Sequence, residues 1–109
     1  MSDTLYLLRD TLLAQRDSPD LIPLPAGILD QAERHLQELK TQWQATGDEL
    51  TMNEHEALVS ALEAMQEERA ERIWSMAYTQ ADHAHAMTED EKTLFDALRI
   101  LAAQLRGIA

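Results

Sequence analysis

Apolar positions along this chain recur every three or four residues and nowhere keep up the alternation of a strand, so the pattern predicts helices. The longest periodic stretch runs from Thr51 to about Gln80 and contains neither Gly nor Pro. At ~1.5 Å per residue it spans roughly 45 Å, well above the usual helix of about three turns. Thr51 and Glu54 have capping-box spacing, and Glu54 and Glu56 add negative charge to the first turn, where the helix dipole favours it. Leu58, Leu62, Met65, Ile73 and Met76 then form one stripe, with Val59, Ala61 and Ala77 alongside. Arg69 interrupts that stripe at its middle, and Arg72 lies next to the seam. A guanidinium in such a place needs carboxylate or carbonyl partners, because an unpaired buried charge is very costly. The spacing therefore predicts a structural polar centre at Arg69 and Arg72, with Glu68 placed to pair with Arg72 one turn on.

Three further helices surround this one. Thr4 to Arg16 carries the stripe Leu5, Leu8 and Leu12, widened by Tyr6, Leu7 and Leu13, with Asp3 or Thr4 as its cap. The segment DSPDLIPLPAG follows, and its prolines hold the chain extended while Leu21, Ile22 and Leu24 offer apolar contacts, so it should strap across the core. Pro25 suits the first position of a second helix that reaches Ala45, with a narrow seam of Leu29, Ala32, Leu36, Leu39 and Trp43 and Gly47 as its stop. Thr88 and Glu91 make another capping box, opening a last helix whose stripe is Leu94, Leu98, Leu101, Leu105 and Ile108. Four helices with short loops give an all-α fold, a compact bundle with one long central helix.

The first and last helices carry more large apolar residues than so small a bundle can bury, which predicts that a partner covers some of them. Tyr6, Leu13, Phe95 and Ala102 are the interface candidates, because they lie beside the primary stripes.

Composition narrows the chemistry. A length of 109 residues suits a single domain, and the absence of Cys excludes disulfides and thiolate zinc sites. No apolar run approaches the ~18 residues of a membrane span, and nothing resembles a signal peptide, so the expectation is a soluble cytoplasmic protein with no membrane contact. The net charge of −11, with seven Arg and two Lys scattered singly, argues against strong direct nucleic-acid binding.

The four histidines show no ligand spacing on a helix. His83 and His85, next to Asp82, are weak metal candidates, and a solvated linker is the expectation there. No nucleophile–base pair and no Gly-rich phosphate loop occurs, so neither an enzyme nor a bound cofactor is expected. From periodicity alone the chain reads as an acidic helical interaction module.

The order of its signals resembles the helical A domain of the GINS DNA replication proteins, closest to the archaeal type in which that domain comes first. Three stretches carry the resemblance: LIPLPAGILDQAERHLQEL at 21–39, EERAERIWSMA at 67–77, and MTEDEKTLFDALRIL at 87–101. The first is similar to the family's Leu-Pro pair and amphipathic helix, and the second to its Arg-x-x-Arg/Lys-Ile segment. The third is similar to its "Leu-Thr-x-Glu-Glu-x-x-Leu-Phe" opening, with Met87 in place of Leu. The family's small β-rich B domain is absent from these 109 residues, which fits either a one-domain member or a piece of a longer chain.

The resemblance implies a non-catalytic scaffold that assembles with itself or with sister GINS subunits into a tetramer. It further implies joining the MCM helicase to a Cdc45/RecJ-like protein in an archaeal cytoplasm, or in the nucleus of a eukaryote. The alternative is a small acidic helical adaptor or inhibitor unrelated to replication.

Overall fold

The computed structural model describes residues 3–79 and 84–108. Its helices are α1 (Asp3–Asp17), α2 (Ile28–Thr46), α3 (Glu49–Thr79) and α4 (Glu89–Ile108), with a 3-10 turn at Ala84–Ala86 before α4. No strand occurs among the described residues. The fold is the all-α bundle that the periodicity predicts, drawn out to 57 × 24 × 19 Å along the long helix α3. Each of the other three helices packs on α3.

Chain direction follows from which residues meet. A two-residue turn at Gly47 and Asp48 folds α2 back on α3 as a hairpin, with His35 facing Glu54. Gly47 adopts a left-handed conformation (φ 67°) and donates its N–H to the Trp43 carbonyl, so it ends α2 in the expected way. The start of α3 differs from the expected Thr51–Glu54 box. Asp48 takes the capping role, accepting from the Leu50 N–H at 3.2 Å and the Thr51 hydroxyl at 2.9 Å. Glu54 is thereby left to face His35. Helix α2 also starts three residues after Pro25, because Ala26 and Gly27 form a turn with Gly27 at φ 73°.

Helix α4 runs in the same direction as α3. Glu91 in its first turn meets Arg69, while Arg106 near its end lies 5.1 Å over the Tyr78 ring, nine residues further along α3.

The apolar interior is in two parts. Leu5, Leu8 and Leu12 of α1 join Ile28, Ala32 and Leu39 of α2 and Leu58, Ala61 and Met65 of α3 in the first. Leu21 of the strap joins Ile73, Met76 and Ala77 of α3 and Ala86, Met87 and Phe95 in the second. Arg69 falls between Met65 and Ile73, at the boundary of the two. Beyond residue 39 the α2–α3 hairpin outruns its neighbours, and positions 40–50 are all exposed, Trp43 and Leu50 included.

Two expectations are corrected on α4. Phe95 is 4 % exposed and Ala102 fully buried, so these two interface candidates are core residues of the chain's own fold. Conversely Leu94, Leu101 and Leu105, expected to be the buried stripe, are 44–47 % exposed. The reason is a rotation of the helix about its axis. Glu91 is drawn inward onto Arg69, and positions four, seven and eleven residues later, which are Phe95, Leu98 and Ala102, necessarily follow it to the same face. The polar anchor, not the larger leucines, sets which side of α4 meets α3.

Candidate functional site

Residues 18–27 cross the bundle without regular secondary structure, so their backbone groups need partners from elsewhere. Three side chains supply them. Gln15, fully buried at the end of α1, donates Nε2 to the Asp20 carbonyl at 2.8 Å and accepts the Ile22 N–H on Oε1 at 3.1 Å. Arg72 donates Nη2 to the Gln15 carbonyl at 2.9 Å and Nε to the Ser18 carbonyl at 3.1 Å. The Gln15 carbonyl also accepts the Ser18 N–H at 3.2 Å, and Arg72 adds a charged donor at this C-terminal end of α1, where the helix dipole favours a cation. Arg69 donates Nη1 to the Ile22 carbonyl at 2.6 Å and Nη2 to the Ala86 carbonyl at 2.8 Å.

Arg69 is 1 % exposed, the largest fully buried side chain of the fold. Its charge is met by Glu91, with Nε on Oε2 and Nη2 on Oε1, both at 2.7 Å, in a two-pronged pair. Glu91 also completes the expected capping box, its Oε1 accepting the Thr88 N–H at 3.0 Å while the Thr88 hydroxyl accepts the Glu91 N–H at 3.2 Å. One carboxylate therefore closes the start of α4 and neutralises the centre of α3.

Glu68 sits beside this pair, 2.7 Å from Arg72 Nη1 and 3.3 Å from Arg16 Nε. The Arg72 hydrogen bond, against an opposing push from burial, holds its carboxyl below the usual range. Arg16 is half-exposed, so its share of this cluster is small.

Burial pushes the Glu91 carboxyl up, but the bond from Arg69, the Thr88 N–H and the guanidinium charge together outweigh it and hold the group below its ordinary value of 4.5. A carboxyl lowered in the folded state stabilises the fold above its unfolded pKa, and that contribution is lost as pH falls through the folded value. Glu91→Gln is therefore expected to melt well below wild type at neutral pH, with the gap closing in acid below about pH 4.5 as the wild-type carboxyl protonates. Thermal melts followed by circular dichroism across that range check it; an equal gap at both ends would show that Glu91 titrates as a free carboxyl.

Above the Arg69–Glu91 pair lies a cleft of about 300 Å³, walled by Leu24, Leu29, Ala70, Asp90 and Leu94. The pair forms part of its lining, with Met65 and Ile73 beside it. Both carboxylate oxygens are occupied and the group is held ionised, which makes it an anchor and a poor proton acceptor.

Of the remaining candidates, Tyr6 and Leu13 are 53 % and 55 % exposed, seven residues apart on the outer face of α1. His83 and Asp82 lie outside the described residues, and His85 is exposed just before α4. Among the described residues no group of three or more His, Cys, Asp or Glu side chains is placed to hold a metal ion. No described helix is long and apolar enough to cross a membrane.

No family model, curated protein or solved structure matches this chain.

Sequence reasoning missed Gln15 and the second role of Glu91. A signal for Gln15 existed, because it continues the spacing of Leu5, Leu8 and Leu12 just before a proline-bearing strap. A polar residue on an apolar stripe next to irregular backbone is a candidate partner for that backbone, which is the reasoning that located Arg69.

Proposed function

We propose that this protein is a non-catalytic scaffold subunit of the GINS type, acting through protein contacts to join the MCM helicase and a Cdc45/RecJ-like protein. The observation that carries the reading is the convergence of the three resembling stretches on one side chain. Arg69, from the stretch at 67–77, bonds Ile22 in the stretch at 21–39 and Glu91 in the stretch at 87–101. Residues that look like scattered family signals in the sequence are thus parts of a single interlocked unit, and its function is to fix how the strap and α4 sit on α3. The outward-facing Leu94, Leu101 and Leu105, 44–47 % exposed on one face of α4, supply a contact surface. A carboxylate-rich chain with a net charge of −11 fits a protein that reaches DNA only through partners.

The test is direct binding. The 109-residue chain, immobilised, is exposed in turn to purified MCM, Cdc45/RecJ-like protein and GINS sister subunit of its own organism. Saturable binding to at least one, weakened by charged substitutions at Leu94 or Leu105, is expected. Absence of binding to all three, separately and mixed, removes the GINS assignment.

A further inference from the structure

We propose that the cleft above the Arg69–Glu91 pair receives one large apolar side chain from a basic helix of a partner protein. Its floor is Met65, Ala70 and Ile73 of α3, and its walls are Leu24 of the strap, Leu29 of α2 and Leu94 of α4. The volume of about 300 Å³ lies at the bottom of the range for small-molecule sites, so one leucine or phenylalanine fits it better than a whole cofactor. The walls are held apart from below. Arg69 bonds the Ile22 carbonyl, two residues before Leu24, and also Glu91, three residues before Leu94. The opening is therefore fixed before anything enters it, which lowers the ordering cost of binding.

Charge selects the partner. A shallower depression shares Leu24, Leu29 and Thr88 with the cleft and runs out over Asp30 and Glu89. The two surfaces together set Asp30, Glu89 and Asp90 around an apolar centre. Among the described residues the only cation lining either surface is Arg69, which is spent on Glu91, and the nearby Lys92 is spent on Glu89. Asp30 and Asp90 are exposed, and neither has an ion-pair partner among the described residues. Asp30 follows Leu29 on one wall, while Asp90 stands in the first turn of α4 beside the other. The start of a helix ordinarily favours an anion, but Glu89 and Asp90 reverse that preference here. An apolar residue flanked by Lys or Arg thus finds a carboxylate on either side, and an acidic segment is repelled from both. No strand edge is offered among the described residues, so a helix laid along the groove is the mode that fits.

The inference names a contact site for the scaffold reading and rests on action through protein contacts, not on GINS membership.

Nuclear magnetic resonance on the isotope-labelled 109-residue chain tests it, with three helical peptides as probes. The first is built of Ala and Lys with a single central Leu, the second has Ala in place of that Leu, and the third has Glu in place of every Lys. The first is expected to shift amides in a saturable way, centred on Leu24, Leu29, Ala70 and Leu94. The second should bind about tenfold more weakly or worse, as for loss of one interface anchor, and the third not at all. Ala70→Trp fills the cleft from an exposed position on its floor, so it should keep the helicity of the fold and weaken the first peptide by about tenfold or more. Combining Asp30→Lys with Asp90→Lys, both on the surface, should exchange the preference between the first and third peptides.

No binding of the first peptide, shifts centred elsewhere, equal binding of the second, or undiminished binding to Ala70→Trp each overturns the proposal. An Ala70→Trp chain that binds a replication partner at full strength would remove the cleft as a partner site and leave the scaffold reading. A wild-type chain that binds the first peptide as expected and no replication partner would do the reverse.

Discussion

Arg69→Ala is expected to destabilise the fold by about 3–5 kcal/mol, the range for removing one member of a buried charge pair. The loss has three parts. Glu91, with its side chain 18 % exposed, is left without its cation, and the carbonyls of Ile22 and Ala86 lose their donor. Total stability of a domain this size is about 5–15 kcal/mol, so the variant is at the edge of unfolding. Arg69→Lys should recover only a fraction, because one ammonium cannot reach two carbonyls and both oxygens of Glu91 at once.

Arg16→Ala is the control. It also removes a carboxylate-paired guanidinium, but a half-exposed one, and should lie within about 1 kcal/mol of wild type. Urea unfolding followed by circular dichroism separates the two ranges, which do not overlap. Arg69→Ala within about 1 kcal/mol of wild type would mean that water replaces all four hydrogen bonds and that the polar centre is not holding the bundle.

What the sequence made legible, and what it hid, divides along physical lines. The helices themselves were visible because burying a stripe enforces spacings of three and four, and those survive any detail of packing. Arg69 was visible for the same reason: it lies in step with Met65 and Ile73, so its side chain points where theirs do. The rotation of α4 was not visible. Both of its faces are apolar, one with Leu94, Leu101 and Leu105 and the other with Phe95, Leu98 and Ala102. Hydrophobicity alone favours the larger set of leucines. The choice was made by a residue counted only as a cap, Glu91, whose tie to Arg69 is a contact between positions 22 residues apart. Local rules read capping well and cannot see that the capping carboxylate has a second, distant partner.

The two-part interior gives that tie a mechanical meaning. The first apolar cluster is built from α1, α2 and the first half of α3, and the second from the strap, the second half of α3 and α4. Covalent continuity between them runs through α3 and the strap. The polar layer of Gln15, Arg69 and Arg72 is where side chains from α1 and α3 hold the strap down. A scaffold that presents one helix face to a partner needs that face at a fixed angle to the rest of the molecule, and hydrogen bonds with defined geometry fix angles better than aliphatic contacts do.

Gln15→Leu isolates the strap's share of this arrangement. Leucine occupies nearly the same volume and adds apolar surface to a fully buried site, so a purely hydrophobic account predicts a neutral or slightly stabilising change. The hydrogen-bond account predicts the opposite. The Asp20 carbonyl keeps the Ser18 hydroxyl, 3.0 Å away, but the Ile22 N–H loses its acceptor, worth roughly 1–3 kcal/mol when buried without a substitute. Leu21 lies between those two groups and is 4 % exposed, so a strap that lifts to hydrate the Ile22 N–H must also draw Leu21 out of the second cluster. The net loss is expected to be about 1–2 kcal/mol after the leucine's own burial is set against it. Amide exchange locates the effect: the Ile22 N–H should lose its protection while amides in the middle of α3 keep theirs relative to the new global stability. If Gln15→Leu is as stable as wild type and the Ile22 amide remains protected, the strap is held by its leucines alone, and the polar layer fixes α4 without fixing the strap.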